Sequence, residues 1–412
     1  MDFIPDININ EFDYHLPEDK IAQFPLSGRD ESKLLIYKKG LISEDIFNNI
    51  PYHLPENSLL VFNETKVIRA RLLFRKPNGA TIELFCLEPI LPTRELQQAF
   101  EQNSGVVWKC MVGNSRRWKS GKLQKSISNN GSTFILSAVR LQQMQDQSFI
   151  RFEWEPSALS FSEILVHTGI IPLPPYMKRK AIKSDAERYQ TIYARAEGSV
   201  AAPTAGLHFT EAVFQKLDQK KIDRVDLTLH VGAGTFKPVT QNEIKNHEMH
   251  FEKILIHKIT IQQIFDHLSE NITVVGTTSM RTVESLYWFG VKLMIDKKSP
   301  EEIDIKQWDS YDPIYNCEIR PRDSLMEVLN YMGKHSLETV SGQTQLMIVP
   351  GYRFRIPNIL ITNFHMPKST LLLLVSAFIG KGWKEAYDYA LGHDFRFLSY
   401  GDACLFFKQN EK

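Results

Sequence analysis

Residues 66–155 constrain the fold most, because they read as strands throughout and interrupt a chain that elsewhere alternates strand and helix. Stretches 67–74, 80–87, 106–112, 133–139 and 149–154 are rich in β-branched and aromatic residues. Turn signals such as Pro77-Asn-Gly79 and Asn129-Asn-Gly131 separate them. No helical periodicity breaks the series, so the segment predicts a small antiparallel barrel or sandwich. On either side the pattern changes. A short apolar strand at 59–62 precedes the segment, and helical patterns at 158–167, 185–195 and 210–221 follow it. A strand at 224–231, a helix at 259–269, a strand at 272–276 and a helix from about Met280 come next. Such alternation predicts an α/β domain around a mixed, mostly parallel sheet. The expected organisation is one α/β domain, residues 1–65 and 156–412, with an antiparallel β-barrel domain, 66–155, inserted into it.

Composition fits this picture and excludes others. With 412 residues, 43% hydrophobic and 24% charged, the chain has the make-up of a globular protein with room for two cores. The first residues are acidic and have no positive stretch before an apolar run, so no signal peptide is expected. The longest apolar run, around 371–379, is about half of what a spanning helix needs, so no membrane partner is expected. Cys86, Cys110, Cys317 and Cys404 lack paired zinc or redox spacing. A cytoplasmic protein with reduced thiols follows as the expectation.

The net charge of +1 hides an asymmetry: residues 66–155 hold 14 Lys and Arg against 7 Asp and Glu. Within them Lys109, Arg116, Arg117, Lys119, Lys122 and Lys125 follow one another without an acid, interleaved with Trp108 and Trp118. Such a patch could hold a phosphate backbone and stack an exposed base, with Arg116, Arg117, Lys119 and Lys122 as the RNA-binding candidates. A solvated hairpin tip is the plain alternative. A second anomaly, 286–349, is acidic and aromatic, with 10 Asp and Glu against 7 Lys and Arg. It is expected to fold as helices packed on the main domain.

Chemistry concentrates in four stretches. Ser199-Val-Ala-Ala-Pro-Thr-Ala-Gly-Leu-His-Phe-Thr210 is almost uncharged, yet it sets hydroxyls around one imidazole among small residues. That suits a floor where a ligand lies close to the main chain; a buried turn is the alternative. Leu229-His-Val-Gly-Ala-Gly-Thr235 follows a strand, and its glycines free backbone N–H groups for an anion or a ribose. Gly276-Thr-Thr-Ser-Met-Arg281 places three hydroxyls and a guanidinium at a helix start, where carboxylate or phosphate binds well. Thr362-Asn-Phe-His-Met-Pro-Lys-Ser-Thr370 is a polar loop before an apolar helix. Ligand sites of α/β sheets gather at the carboxyl ends of strands, so these loops are expected to converge. His247-Glu-Met-His250 puts two imidazoles at helical spacing, but lacks zinc-protease spacing and a third ligand, so no metal site is expected.

These stretches belong to a longer ordered set. It includes Phe12-Asp-Tyr-His-Leu-Pro17, Ile21-Ala-Gln-Phe-Pro-Leu26, Leu60-Val-Phe-Asn-Glu-Thr-Lys-Val-Ile-Arg-Ala-Arg71 and Pro172-Leu-Pro-Pro-Tyr176. Arg188-Tyr-Gln-Thr-Ile-Tyr-Ala-Arg195, Pro350-Gly-Tyr-Arg-Phe354 and Phe397-Leu-Ser-Tyr-Gly-Asp-Ala403 extend it. Across nearly its whole length the chain resembles the S-adenosylmethionine:tRNA ribosyltransferase-isomerases of queuosine biosynthesis. The departure is 286–349, where the family pattern has a much shorter connection.

The resemblance implies a barrel inserted into an α/β domain. It also implies transfer of the ribosyl part of S-adenosylmethionine to 7-aminomethyl-7-deazaguanine at the wobble position of a tRNA anticodon stem-loop. Adenine and methionine leave, and epoxyqueuosine is formed. No metal or redox cofactor is implied; S-adenosylmethionine is consumed as the ribosyl donor. A non-catalytic tRNA-binding paralogue of the same fold is the alternative. A sulfonium acidifies the adjacent 5′-carbon, the attacking amine must be neutral, and adenine leaves better when protonated. Imidazoles suit all three proton transfers, which makes His208, His230 and His365 the catalytic candidates. Arg281 with Thr277, Thr278 and Ser279 are expected to hold the methionine carboxylate. Asn363, Tyr400 and Asp402 are expected to orient the ribose or the RNA base. Thr204, Gly206, Gly232, Gly234, Thr235, Lys368 and Ser369 complete the expected substrate contacts.

Overall fold

A computed structural model describes residues 3–129, 132–144, 147–232, 239, 241–296, 301–315 and 318–409. Its centre is four parallel strands in the order Asp223–His230, Leu59–Asn63, Ile272–Val275 and Ile359–Asn363. Register carries one apolar row across them: Val61 lies between Val225 and Val274, and Val274 is paired with Leu360. Leu59–Asn63, Ile272–Val275 and Ile359–Asn363 are largely apolar and buried throughout because both faces are covered, whereas Asp223–His230 mixes buried and more exposed positions. Leu59 and Val61 enter one core, while Leu60 and Phe62 enter the other.

The sheet extends to ten strands and is mixed, as the alternation predicts. On one flank Ala403–Phe407 runs antiparallel to Ile359–Asn363, and Lys33–Lys38 lies parallel to it, followed by Leu41–Ile46. On the other flank Glu252–His257 and Thr339–Thr344 add antiparallel pairings, and Ile303–Ile305 closes that end. The segment 286–349 therefore supplies two strands of the sheet as well as helix. The helix Thr277–Ile295 runs on into it, and Pro321–Lys334 packs on that helix. Gly290 permits the close approach, since a Cβ there would collide with Ser324.

Residues 71–155 form a separate antiparallel sheet that curls round its own core. Its seventh strand is Gly169–Ile170, and the helix Phe161–Thr168 packs into the same core, so the small unit draws in residues beyond 155. Its two end regions approach each other, and Lys125 Nζ donates to the Thr168 carbonyl at 3.2 Å. Among the described residues no strand ladder closes the curl, so it is an open barrel.

Two helix expectations change. The pattern at 185–195 forms one turn, Asp185–Arg188. Gln190 instead bridges to Val67, accepting from its N–H at 2.9 Å and donating to its carbonyl at 2.7 Å. His247 and His250 lie outside any helix, in the extended approach to Glu252–His257, so they do not share a helix face.

Candidate functional site

Because the four central strands are parallel, their carboxyl ends share one rim. A cavity of about 360 Å³ opens there. Val231, Gly276–Thr278 and Thr362–Met366, from three of those strand ends, line it. Ala201–Ala205, from the uncharged stretch, forms another wall, and Pro175, Tyr176, Ser369, Leu371, Leu398 and Ser399 complete it. Largely apolar walls with a few convergent polar groups are what small-molecule sites present.

Gly276 fixes one side. Its φ of +95° turns the chain from strand into the helix Thr277–Ile295, a conformation that a side chain would strain. The first backbone N–H groups of this helix have no intrahelical acceptor. Thr277 and Thr278 line the cavity beside them, so a partial positive charge and two hydroxyls face one space.

His365 also lines the cavity. Its Nε2 lies 2.9 Å from Thr362 Oγ1, its N–H donates to Tyr387 Oη at 3.0 Å, and its carbonyl accepts from Tyr14 Oη at 2.5 Å. The backbone is thus pinned on both sides of the ring. Burial holds its pKa down at about 3, so the imidazole is neutral at physiological pH.

Asn363 is fixed by three acceptors. Its Nδ2 donates to His208 Nε2 at 3.1 Å, to Leu398 O at 3.2 Å and to Asp402 O at 3.5 Å. Oδ1 is left buried without a partner among the described residues, although Asn363 lines the cavity. A buried unpaired acceptor is costly, and a ligand donor would relieve it.

The other candidates are placed differently. Thr204 and Ser369 line the cavity; Ser369 also caps the helix Thr370–Ile379 by accepting from Leu372 N–H at 3.2 Å. His208 does not line it. Both its ring nitrogens are engaged, Nδ1 with Ser32 Oγ at 2.8 Å and Nε2 with Asn363, and burial holds its pKa near 3. It positions Asn363. His230 is outside the lining too: its ring packs on Gly198, where a Cβ would meet Nδ1 at 2.6 Å, and burial followed by Lys253 lowers its pKa to about 4.

Arg281 is turned away from the cavity into a buried ion pair, Nη1 to Glu252 Oε2 at 2.8 Å. Ser279 donates to the Val275 carbonyl at 2.7 Å, and Gly206 is crowded by Tyr193. Asp402 accepts from the backbone N–H groups of Lys33 and Arg396 and pairs with the Arg396 guanidinium at 3.0 Å, so it orients the chain rather than a ligand. Lys368 pairs with Asp13 at 2.9 Å, and Tyr400 donates to Asp185 at 2.9 Å. Gly232 is not part of the wall, and Gly234 and Thr235 lie outside the described residues. Sequence reasoning missed Tyr176 and Ser399, whose hydroxyls meet at 2.6 Å on the wall; the signal available was a hydroxyl inside each of two quoted motifs.

On the small unit Arg116, Arg117, Lys119 and Lys122 are exposed, the first two in the turn Ser115–Arg117. The aromatic half of the expectation is corrected. Trp108 and Trp118 are 0% and 1% exposed, and Trp118 donates to the Gly121 carbonyl at 3.0 Å beneath the Arg140 guanidinium. They are core residues and cannot stack a base. Lys109 pairs with Glu88, and Lys122 lies 3.8 Å from Glu153, which leaves Arg116, Arg117 and Lys119 without a carboxylate partner among the described residues.

Fold and site together define an α/β protein with a small-molecule pocket at its strand ends and a second, basic unit. Residues 9–406 match the family described as queuosine biosynthesis protein, and the chain belongs to that family. Similar proteins named S-adenosylmethionine:tRNA ribosyltransferase-isomerase occur in Geotalea uraniireducens (35% identical, 97% of this chain, 100% of the relative) and Thermosipho melanesiensis (37%, 97% and 100%). A crystal structure of S-adenosylmethionine tRNA ribosyltransferase from Thermotoga maritima is 28% identical, covers 96% of this chain and 99% of its own, and has a TM-score of 0.45. Among the described residues no helix is long and apolar enough to cross a membrane.

Proposed function

We propose that the chain is an S-adenosylmethionine:tRNA ribosyltransferase-isomerase, forming epoxyqueuosine on the wobble base of a tRNA anticodon stem-loop. The observation that carries this reading is the cavity itself, where a helix start, a neutral imidazole and an unpaired amide oxygen converge. The amino end of Thr277–Ile295, with Thr277 and Thr278, holds the methionine carboxylate, as a helix start favours an anion. Neutral His365 accepts the proton from the carbon that the sulfonium acidifies. Asn363 Oδ1 orients the ribose or the incoming base, and Thr204 and Ser369 line the same space. The wobble nucleotide reaches the cavity splayed out of its stack.

The test is incubation with S-adenosylmethionine labelled in its ribose and with tRNA carrying the precursor base. Adenine and methionine are released and the RNA becomes labelled. Methyl transfer instead, or no turnover with any cognate tRNA, discards the reading.

The patch on the small unit contributes charge alone. Exchanging Arg116, Arg117 and Lys119 for glutamine is expected to weaken tRNA binding and reduce the log–log salt slope by roughly two to three. Unaltered affinity and slope would make it a solvated turn.

A further inference from the structure

A second cleft, smaller than the cavity, adjoins it through Ser399, which borders both. Arg29, Arg188 and Arg396 line this cleft together with Ser32, His208 and Tyr400. Arg396 is matched by Asp402. Arg29 and Arg188 are held by carbonyl oxygens alone. Arg29 donates to Gln190 O at 2.8 Å, Leu207 O at 3.3 Å and Glu187 O at 3.0 Å. Arg188 donates to Ser27 O at 3.1 Å and Leu26 O at 2.6 Å, and its Nε is buried with no partner among the described residues.

Carbonyls fix the direction of a guanidinium without neutralising it. Among the described residues neither side chain is in an ion pair. The nearby carboxylates do not make up the difference. Asp185 is committed to Arg179 at 2.7 Å, Glu31 accepts from Gly28 N–H and Ser27 Oγ, and Glu187 is exposed. The two cations also oppose each other: burial, and then Arg188, lower the pKa of Arg29. Holding like charges together in a half-buried cleft is unfavourable unless an anion joins them.

We propose that this cleft binds a phosphodiester oxyanion of the RNA backbone, next to the nucleotide whose base enters the cavity. Its position beside Ser399 places a base site and a phosphate site side by side, as one nucleotide requires. Planar guanidinium groups suit two oxygens of one phosphate. The carboxylate of S-adenosylmethionine has the same oxyanion chemistry and is the competing source. This inference rests on the RNA-modifying reading above.

The experiment measures Arg188→Gln and Arg188→Lys with an anticodon stem-loop carrying 7-aminomethyl-7-deazaguanine. Arg188→Gln is expected to raise the Kd of the stem-loop on the order of tenfold and to reduce the salt slope by roughly 0.7. The KM for S-adenosylmethionine stays unchanged, and Arg188→Lys, which keeps the charge but not the planar fork, recovers the salt slope and only part of the affinity. A folded Arg188→Gln protein with unaltered Kd and slope overturns the proposal. So does a rise confined to the KM for S-adenosylmethionine, which assigns the cleft to that carboxylate.

Wild-type protein supplies a second arm that does not depend on the variant folding. A stem-loop with neutral methylphosphonates on both sides of the wobble nucleotide should bind it as weakly as Arg188→Gln binds the natural RNA. Equal affinity for neutral and natural linkages overturns the proposal. Adenine release by the wild type is followed in parallel: its absence sinks the functional reading, whereas its presence with an insensitive Arg188 sinks the phosphate site alone.

Discussion

Replacing His365 with alanine is expected to slow adenine release by about 10²- to 10⁴-fold, the usual worth of a positioned general base, while the affinity for the stem-loop stays unchanged. The ring is the one imidazole among the three candidates that lines the cavity. Thr362 and the two tyrosines that pin its backbone fix where it points. Its depressed pKa adds a test by pH. A group neutral down to about 3 contributes no acid limb to kcat/KM between roughly pH 5 and 8. A cationic sulfonium beside it disfavours the imidazolium further. A loss of less than threefold in His365→Ala would remove the residue from the chemistry. An acid limb near the ordinary histidine value that disappears in the variant would contradict the neutral ring.

Arg281→Ala is expected to act on stability rather than on substrate binding. Removing the guanidinium leaves the Glu252 carboxylate at 1% side-chain exposure without its ion-pair partner. Breaking a buried pair from one side costs about 3–5 kcal/mol, visible as a lower urea midpoint with an unchanged slope. The double change Arg281→Met with Glu252→Leu should recover much of that loss, because it removes both buried charges of the pair together. The KM for S-adenosylmethionine in the folded fraction of Arg281→Ala should stay near the wild-type value. A raised KM with stability intact would return Arg281 to the role of carboxylate clamp.

Arg281 also illustrates what a sequence can and cannot disclose. The motif Gly276-Thr-Thr-Ser-Met-Arg281 marks a strand-to-helix turn at a rim, and Thr277 and Thr278 are where that turn implies. The direction of Arg281 depends on Glu252, which opens a different strand and belongs to no motif. Three strands of the parallel centre were legible, 59–62 and 272–276 as short apolar runs and 224–231 as an alternating one; Ile359–Asn363 was marked only by the polar loop that follows it. Sequence reasoning missed the flanking strand 33–38, and in 252–257, 303–305 and 339–344 polar residues such as Lys253, Asp304, Ser341 and Gln343 interrupt the apolar pattern. Trp118 reads as exposed amid basic neighbours, yet it follows the turn Ser115–Arg117 with its ring folded into the core of the curled sheet, while Arg117 and Lys119 face solvent. His208 shows the opposite case: an imidazole in the richest motif whose two nitrogens are consumed, one by Ser32 and one by Asn363.

The placement of Ala403–Phe407 carries a consequence for biosynthesis. Among the described residues it is the one ladder linking the hairpin of 33–46 to the centre of the sheet, parallel to Lys33–Lys38 on one side and antiparallel to Ile359–Asn363 on the other. A nascent chain therefore cannot pair this hairpin with the sheet until residues 403–407 have been synthesised. Until then the hairpin keeps an unpaired edge, a state in which chaperone binding has the most to offer.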